Sequence, residues 1–147
     1  MKRFLSCMLT LVLIICLLSS CGGDKITNVV NNAETVLING EKIDTVEAAM
    51  GAFQGKQGDY IEFRFEEEQT FNTIFIAEKS TTIRQYNIFA EVDGKYKLIH
   101  TDKLIVNDNI PVEKTTATAL KIQVVNTEIG NDNFAIQGIS AYNIEEK

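Results

Sequence analysis

Alternation of apolar and polar residues runs through most of the chain. In residues 60–65, for example, Ile61, Phe63 and Phe65 alternate with side chains that are more polar. A period of two puts successive side chains on opposite faces of a β-strand. Similar segments, rich in β-branched and aromatic residues, are 35–38, 71–77, 83–92, 96–99, 104–106, 110–112, 119–125 and 134–142. This spacing predicts an all-β sandwich or barrel of about eight short strands.

The chain has one convincing helical segment and clear turn signals. Asp93-Gly94 is the strongest hairpin signal. Residues 45–53 begin with Thr45, a residue type that caps helices. Their apolar side chains follow the spacing of an amphipathic helix: Val46, Ala49, Met50 and Phe53. We therefore expect one short helix near the start of the domain.

The N-terminal segment has a different character from the rest. Two basic residues precede about 15 apolar residues, and Leu18-Ser19-Ser20-Cys21 closes the stretch. This is the layout of a secretory signal. The small residues before a cysteine resemble the bacterial lipoprotein signal family, in which the cysteine receives a lipid and the chain is cleaved before it. A transmembrane anchor is the alternative, but it needs roughly 20 apolar residues.

The lipoprotein resemblance implies three segments. Residues 1–20 are the signal peptide, residues 21–32 are a polar Gly- and Asn-rich tether, and residues 33–147 are the domain. A lipid such as palmitate on Cys21 would anchor the mature protein to a bacterial membrane, facing an extracytoplasmic compartment. Stable anchoring takes two or more acyl chains.

Charge and residue usage exclude several functions. The signal holds two of the 14 basic residues and none of the 20 acidic ones, which leaves 12 basic against 20 acidic residues and a formal charge of −8. Such a chain repels nucleic acid and anionic lipid, so we expect no nucleic-acid partner. Cys7 and Cys16 leave with the signal, so no thiol remains for a disulfide, a zinc site or catalysis.

Several motifs in order resemble the discoidin, or coagulation factor 5/8 type C, family. Asp93-Gly94-Lys95-Tyr96 stands where that family carries Asp-Gly-x-Trp. The other matching segments are 58–65, 66–76, 78–88, 118–122 and 136–142. An acidic residue shortly before the Arg-Ile-x-x-Phe-like strand is similar to the C-terminal domain of bacterial α-L-fucosidases. The resemblance implies a galactose-binding-like jelly-roll β-sandwich.

Departures from the family pattern concern the ligand. Tyr96 replaces the usual Trp, and the family's Arg-Tyr-Ile-Arg stretch has become residues 119–122. The family implies calcium as a possible cofactor. Calcium needs six to eight oxygen ligands, and residues 33–57 contain no convincing Asp/Asn cluster. We therefore predict no metal and no other cofactor.

Three loops are candidates for binding sugar hydroxyls: 79–82, 107–109 and 128–133. Asn131, Asp132 and Asn133 offer the most polar groups, although Asn and Asp also simply form turns. His100, the only histidine, could lie at the rim of such a pocket or point to solvent. These loops contain no aromatic residue to stack on a pyranose ring, which argues against a strong sugar site.

Two other charged groups have simpler interpretations. Glu78 and Arg84 are predicted to form a structural pair that orients the loop before a strand, with a binding role as the alternative. Glu66, Glu67 and Glu68 are expected to lie on a solvated turn.

The residues favour a binding protein over an enzyme. No pair of carboxylates has a spacing that recommends glycoside hydrolysis. The family resemblance implies a non-catalytic, lipid-anchored module whose ligand is a glycan. The alternative is a structural or assembly lipoprotein that binds a protein partner at the cell envelope. The missing Trp and the altered basic positions favour this alternative over a typical glycan binder.

Overall fold

The computed structural model describes residues 26–79, 81–103 and 109–145. Cys21 and the predicted strand at 104–106 lie outside this part of the chain. Within the described residues, a 3-10 turn at Val29–Asn32 precedes one helix and eight strands. These are β1 (Ala33–Ile38), β2 (Glu41–Lys42), α1 (Val46–Ala49), β3 (Phe53–Lys56), β4 (Tyr60–Glu78), β5 (Ile83–Val92), β6 (Lys95–Asp102), β7 (Asn109–Thr127) and β8 (Asn133–Tyr142).

The strands form an antiparallel β-sandwich, as predicted. One layer has the order β2-β1-β4-β7-β5-β6. In the other layer β8 lies between β3 and the second half of β4, which also pairs with the first half of β7. The long strands β4 and β7 therefore contribute to both layers.

A corner in β4 carries the chain from one layer to the other. Arg64 pairs with Ala119 and Gln69 pairs with Ala117, so residues 65–68 face a single residue of β7. Extra residues on one strand of a pair bend that strand sharply. The sequence predicts two strands, 60–65 and 71–77, whereas the structure has one strand that turns this corner. Glu66, Glu67 and Glu68 are exposed on the outside of the corner, as expected.

The corner gives the sandwich two distinct ends. The "terminal end" comprises residues 26–33, the corner at 65–69 and residues 140–145. Asn28 donates to the Ser140 hydroxyl there, and Asn32 donates to Gln69. The "loop end" comprises residues 57–59, 79–82 and 128–132, which adjoin the first and last residues of β4 and the start of β8. Strand register places these two groups of loops at opposite ends of the molecule.

The core fills the space between the inner faces of the two layers. On β4, Ile61 and Phe63 are fully buried, and so are Phe71, Ile74 and Ile76 beyond the corner. Strands β5, β7 and β8 contribute further aliphatic side chains: Ile88, Leu120, Ile122, Val124, Ile136 and Ile139. Burying apolar area of this kind is the main force that holds the layers together.

The helix is shorter than the sequence predicts and buries a different face. Thr45 caps it by accepting a hydrogen bond from the Ala48 N–H at 3.0 Å, but the helix ends at Ala49. Ala48 is 2% exposed, whereas Val46 is 74% exposed and Met50 is 62% exposed. The helix is only one turn long because the chain reverses after Met50 to enter β3. Apolar spacing over nine residues therefore predicts the wrong face.

The folded domain also begins earlier than the sequence predicts. The predicted tether runs to residue 32, yet Val29 and Val30 belong to the buried core at 8% and 1% exposure. The Asn28 side chain accepts hydrogen bonds from the N–H groups of Val30 and Ala141, at 3.2 and 3.0 Å. The polar composition of residues 21–32 predicts a tether. Val29 and Val30 are too few to form a periodic pattern that would reveal a folded segment.

Candidate functional site

Backbone hydrogen bonds join the candidate loops at the loop end. The Glu128 N–H donates to the Thr82 carbonyl at 2.8 Å, and the Gln57 N–H donates to the Asp132 carbonyl at 2.9 Å. The 57–59, 79–82 and 128–132 segments are therefore neighbours. Two of the three loops predicted from sequence come together, while most of the third, 107–109, lies outside the described residues.

Glu78 shapes the loop that follows β4. Its Oε1 accepts from the N–H groups of Thr82 and Ile83, at 2.6 and 2.9 Å, and from the Thr82 hydroxyl at 3.4 Å. Carboxylates that accept backbone N–H groups form strong, charge-assisted hydrogen bonds. Glu78 thus has the predicted structural role of orienting this loop.

Arg84 does not take Glu78 as its ion-pair partner, so the predicted pairing is corrected. Its Nη1 donates to the carbonyls of Thr81 and Ile83 at 2.6 and 3.2 Å, and its Nη2 donates to Glu128 Oε1 at 3.1 Å. Glu128 is far away in sequence, on the loop after β7, and sequence spacing carried no signal for it. Arg84 therefore links the two loops and holds a partly exposed guanidinium between them.

The three predicted polar residues of the 128–133 loop differ in what they can offer. The Asn131 side-chain oxygen accepts from the Asn133 N–H at 3.2 Å. The backbone N–H of Asn131 donates to the Glu128 carbonyl at 3.0 Å. Asn131 therefore shapes the turn, as Asn commonly does. Asp132 and Asn133 are exposed, and their side chains face solvent. These two remain available to a ligand.

Ile129 is a feature of this loop that the sequence analysis missed. Its side chain is fully exposed, next to Glu128 in the same turn. A large apolar residue within an otherwise polar loop is the signal that could have revealed it. The loop end therefore offers an apolar contact together with a carboxylate, an amide and a guanidinium.

His100 lies apart from these loops. It is on β6, and β5 separates that strand from β7 and the loop that follows it. Its ring stacks on Tyr86 with centroids 5.9 Å apart, and its Nε2 lies 3.4 Å from the Tyr86 hydroxyl. Burial raises the pKa of Tyr86 to about 12, with a smaller contribution from Asp102. The structure thus places His100 in a packed pair with Tyr86, away from Asn131, Asp132 and Asn133.

Aromatic side chains cluster instead on the outer face of the larger layer. The Lys121 Nζ lies 3.8 Å from the ring centroid of Tyr96, 5.1 Å from that of Phe89 and 5.3 Å from that of Tyr60. These distances are within the range of cation–π attraction. The lysine occupies the space around the rings that a sugar would need. We interpret this cluster as cross-strand packing that stabilises the sheet.

Charged residues complete this outer-face cluster. Glu62 is 5% exposed and accepts a hydrogen bond from Arg64 Nε, which raises the pKa of Arg64. The Tyr96 hydroxyl is buried and has no hydrogen-bond partner among the described residues. Burial of this phenol, with the nearby Glu62 carboxylate, raises the pKa of Tyr96. The positions where this chain departs from the discoidin pattern, Tyr96 and Lys121, are thus in direct contact.

In residues 26–79, 81–103 and 109–145, no three His, Cys, Asp or Glu side chains are grouped closely enough to hold a metal ion. Within the same part of the chain, no helix has the length and apolar character needed to cross a bilayer.

Comparisons with known proteins identify the fold. No protein-family model matches the chain, and no curated protein matches it in sequence. Solved structures do match. Chitosan-binding module 1 from a Paenibacillus chitosanase/glucanase has a TM-score of 0.65 and 14% identity, over 81% of this chain and 100% of that one.

Two further structures support the same assignment. A GH29 fucosidase from Ruminococcus gnavus has a TM-score of 0.61 and 21% identity, over 82% of this chain but 27% of the fucosidase. The CBM32 module of AlyQ, solved with 4,5-unsaturated mannuronic acid, has a TM-score of 0.59 and 15% identity, over 76% and 96% of the two chains. The predicted galactose-binding-like β-sandwich is therefore confirmed, and it corresponds to about a quarter of the fucosidase.

Proposed function

We propose that this protein is a lipid-anchored, extracytoplasmic, non-catalytic module that binds a glycan through its loop end. The observation that carries the proposal is the joining of two polar loops by Arg84 and Glu128 beside a fully exposed Ile129. Sugar recognition combines apolar contact with C–H groups and hydrogen bonds to hydroxyls. This cluster supplies both on adjacent loops.

Each side chain has a role in this proposal. Ile129 contacts the apolar face of the sugar, in the place where an aromatic residue would be stronger. The exposed Asp132 and Asn133 side chains accept and donate hydrogen bonds to hydroxyl groups. Arg84 is held by two carbonyls and a carboxylate, so it can donate to a ligand without losing much freedom on binding.

The structural neighbours support a glycan as the ligand class. Two of the proteins described above are carbohydrate-binding modules that match this chain over nearly their whole length. The fold alone does not assign a function, so the loop-end residues carry the argument. The lack of any aromatic residue in these loops points to weak binding, with a dissociation constant in the micromolar range.

We expect Ile129→Ser and Asp132→Ala each to weaken glycan binding about tenfold, a change worth about 1.4 kcal/mol. Glycans found on an array would be titrated into the full-length protein by calorimetry. The detergent should lack a sugar headgroup, because a maltoside would compete for the site. Matched controls elsewhere on the surface are Leu98→Ser on β6 and Glu67→Ala at the corner, and both should bind normally.

The array result decides between the two functions considered. Absence of any glycan binding at high micromolar concentration would contradict the proposal and favour an envelope protein as partner. The exposed Ile129 is the observation that suits that alternative, because a single aliphatic residue is a common protein contact. Glycan binding that survives both substitutions would show that the ligand lies elsewhere on the molecule.

The anchoring part of the proposal has its own test. We expect Cys21→Ser to abolish incorporation of a palmitate analogue and to move the protein out of the membrane fraction. The cause is loss of the sulfur that carries the acyl chains, each buried CH₂ of which contributes about 0.8 kcal/mol. Cys16→Ser, within the predicted signal, is the matched control and should leave both properties unchanged. Full lipid incorporation into Cys21→Ser would rule out this site.

A further inference from the structure

An apolar surface lies where α1 meets the 3-10 turn of the terminal end. A recess of about 320 Å³ lies between α1 and the 3-10 turn, and its walls include Val30, Val36 and Ala49. Val46 and Met50 form its rim, and they are 74% and 62% exposed. We call Val46, Met50 and this recess the "apolar rim". Large apolar side chains grouped around an apolar recess commonly mark an interaction surface.

A third exposed apolar residue lies just before the 3-10 turn in the chain. Ile26 is 61% exposed and lies three residues before Val29, which is fixed in the core. Among the described residues, the other large apolar side chains with comparable exposure are Leu98 on β6 and Ile129 at the loop end. Three of the five large apolar side chains that are more than half exposed in this part of the chain are therefore Ile26, Val46 and Met50.

Because Val30 lines the recess, a lipidated Cys21 would keep the apolar rim within reach of the bilayer. Five residue steps separate Cys21 from Ile26, so a fully extended chain spans at most about 18 Å between them. Nine steps separate Cys21 from the buried Val30, at most about 32 Å. A surface tied this closely to a bilayer meets the bilayer far more often than it meets any soluble protein.

We propose that the apolar rim and Ile26 rest in the interface of the membrane to which the protein is anchored. This inference rests on the lipid anchor of the proposed function. The occupant is the boundary between headgroups and acyl chains, where apolar side chains insert about 5–10 Å. Glu47 lies on the same short helix and the domain is acidic overall, so the surface suits zwitterionic lipids better than anionic ones.

One consequence concerns the orientation of the domain. The loop end and the terminal end are at opposite ends of the sandwich. Because Val30 and Asn31 of the terminal end line the recess, we expect contact between the apolar rim and the bilayer to leave Arg84, Ile129 and Asp132 on the side away from the membrane. A ligand in the surrounding medium or on a neighbouring surface could then reach them without obstruction by the bilayer.

The sequence allows a direct test, because the chain contains no tryptophan. Val46→Trp and Met50→Trp each introduce a single probe at a position that is already exposed, so both variants should fold. The full-length lipidated variants would be reconstituted into phosphatidylcholine vesicles with or without brominated acyl chains. Ile129→Trp at the loop end is the matched control, since its side chain is also exposed.

We expect brominated lipid to quench the tryptophans at positions 46 and 50 by at least about twofold, because bromine quenches only at short range within the bilayer. Their emission should also shift to shorter wavelength on reconstitution. Position 129 should show neither effect. Flotation of the vesicles measures anchoring independently of the quenching.

The outcomes separate the two proposals. Protein that floats with the vesicles, but whose tryptophans at 46 and 50 are not quenched, would overturn the membrane contact and leave the anchor intact. A blue shift without quenching would mean that a second copy or another protein covers the rim, which also overturns it. Failure to float would refute the lipid anchor itself.

Discussion

Gly51→Ala is expected to destabilise the domain by about 3 kcal/mol, from left-handed strain of about 1–2 kcal/mol and overpacking of similar size. Gly51 has a φ of +79°, and an added Cβ would lie 2.5 Å from the Ile139 backbone nitrogen. That contact cannot relax easily, because the Ile139 N–H donates to the Met50 carbonyl at 3.1 Å. The substitution would therefore push α1 away from β8.

Gly58→Ala provides the matched control for this prediction. Gly58 also has a positive φ, +97°, but an added Cβ would meet nothing within 4 Å. Its expected cost is about 1–2 kcal/mol, from backbone strain alone. Urea unfolding followed by far-UV circular dichroism would measure both. Equal destabilisation by the two substitutions would show that the close approach of Gly51 to β8 is unimportant.

The second large effect concerns where the domain begins. A protein that starts at residue 33 is expected to be about 3 kcal/mol less stable than one that starts at residue 26, since full burial of a valine contributes at least about 1.5 kcal/mol. Val29 and Val30 supply that burial. The shorter chain also leaves the Ala141 N–H without its Asn28 acceptor.

Asn28→Ala in the full-length chain separates the hydrogen bonds from the buried valines. It removes the acceptor of two N–H groups and the donor to Ser140, but keeps Val29 and Val30. We expect a cost of about 1–2 kcal/mol, typical for a buried donor left unsatisfied. Denaturant midpoints would be compared between the chains that start at residues 26 and 33, and between Asn28→Ala and the unsubstituted full-length chain. If starting at residue 33 costs nothing, residues 26–32 act only as a tether.

Local patterns predicted many of the strands well. Residues 83–92 match β5 at both ends, and residues 134–142 match β8 to within one residue. The period-two alternation is a property of neighbouring residues, and it survives folding because one face of each strand is buried. The predicted Asp93-Gly94 turn also joins β5 to β6, with positive φ at both residues.

Short elements were harder to predict. A helix of one turn has too few residues for periodicity to define its buried face, so Ala48 rather than Val46 points inward. The two-residue β2 and the four-residue β3 carry no clear pattern of their own. Pairing with β1 and β8 forms them, and pairing between distant segments leaves no local signal.

The candidate site, like the fold, was predicted from the sequence only in part. Sequence composition singled out the 79–82 and 128–133 loops and the polar residues Asp132 and Asn133. It could not tell that Arg84 binds Glu128 rather than Glu78, because that pair is 44 residues apart. Nor could it tell that His100 lies apart from these loops. That follows from the sheet order, in which β5 lies between β6, which carries His100, and β7.

The sequence by itself therefore determined the β-rich character, most strand positions and the polar loops, because these depend on residue type and on near neighbours. The tertiary structure alone decided that β4 turns a corner, that two polar loops meet around Arg84 and that Val30 joins the core. It also brought Val46 and Met50 next to Val30 of the terminal end. Each of these depends on contacts between residues far apart in the chain, where packing and register outweigh local preference.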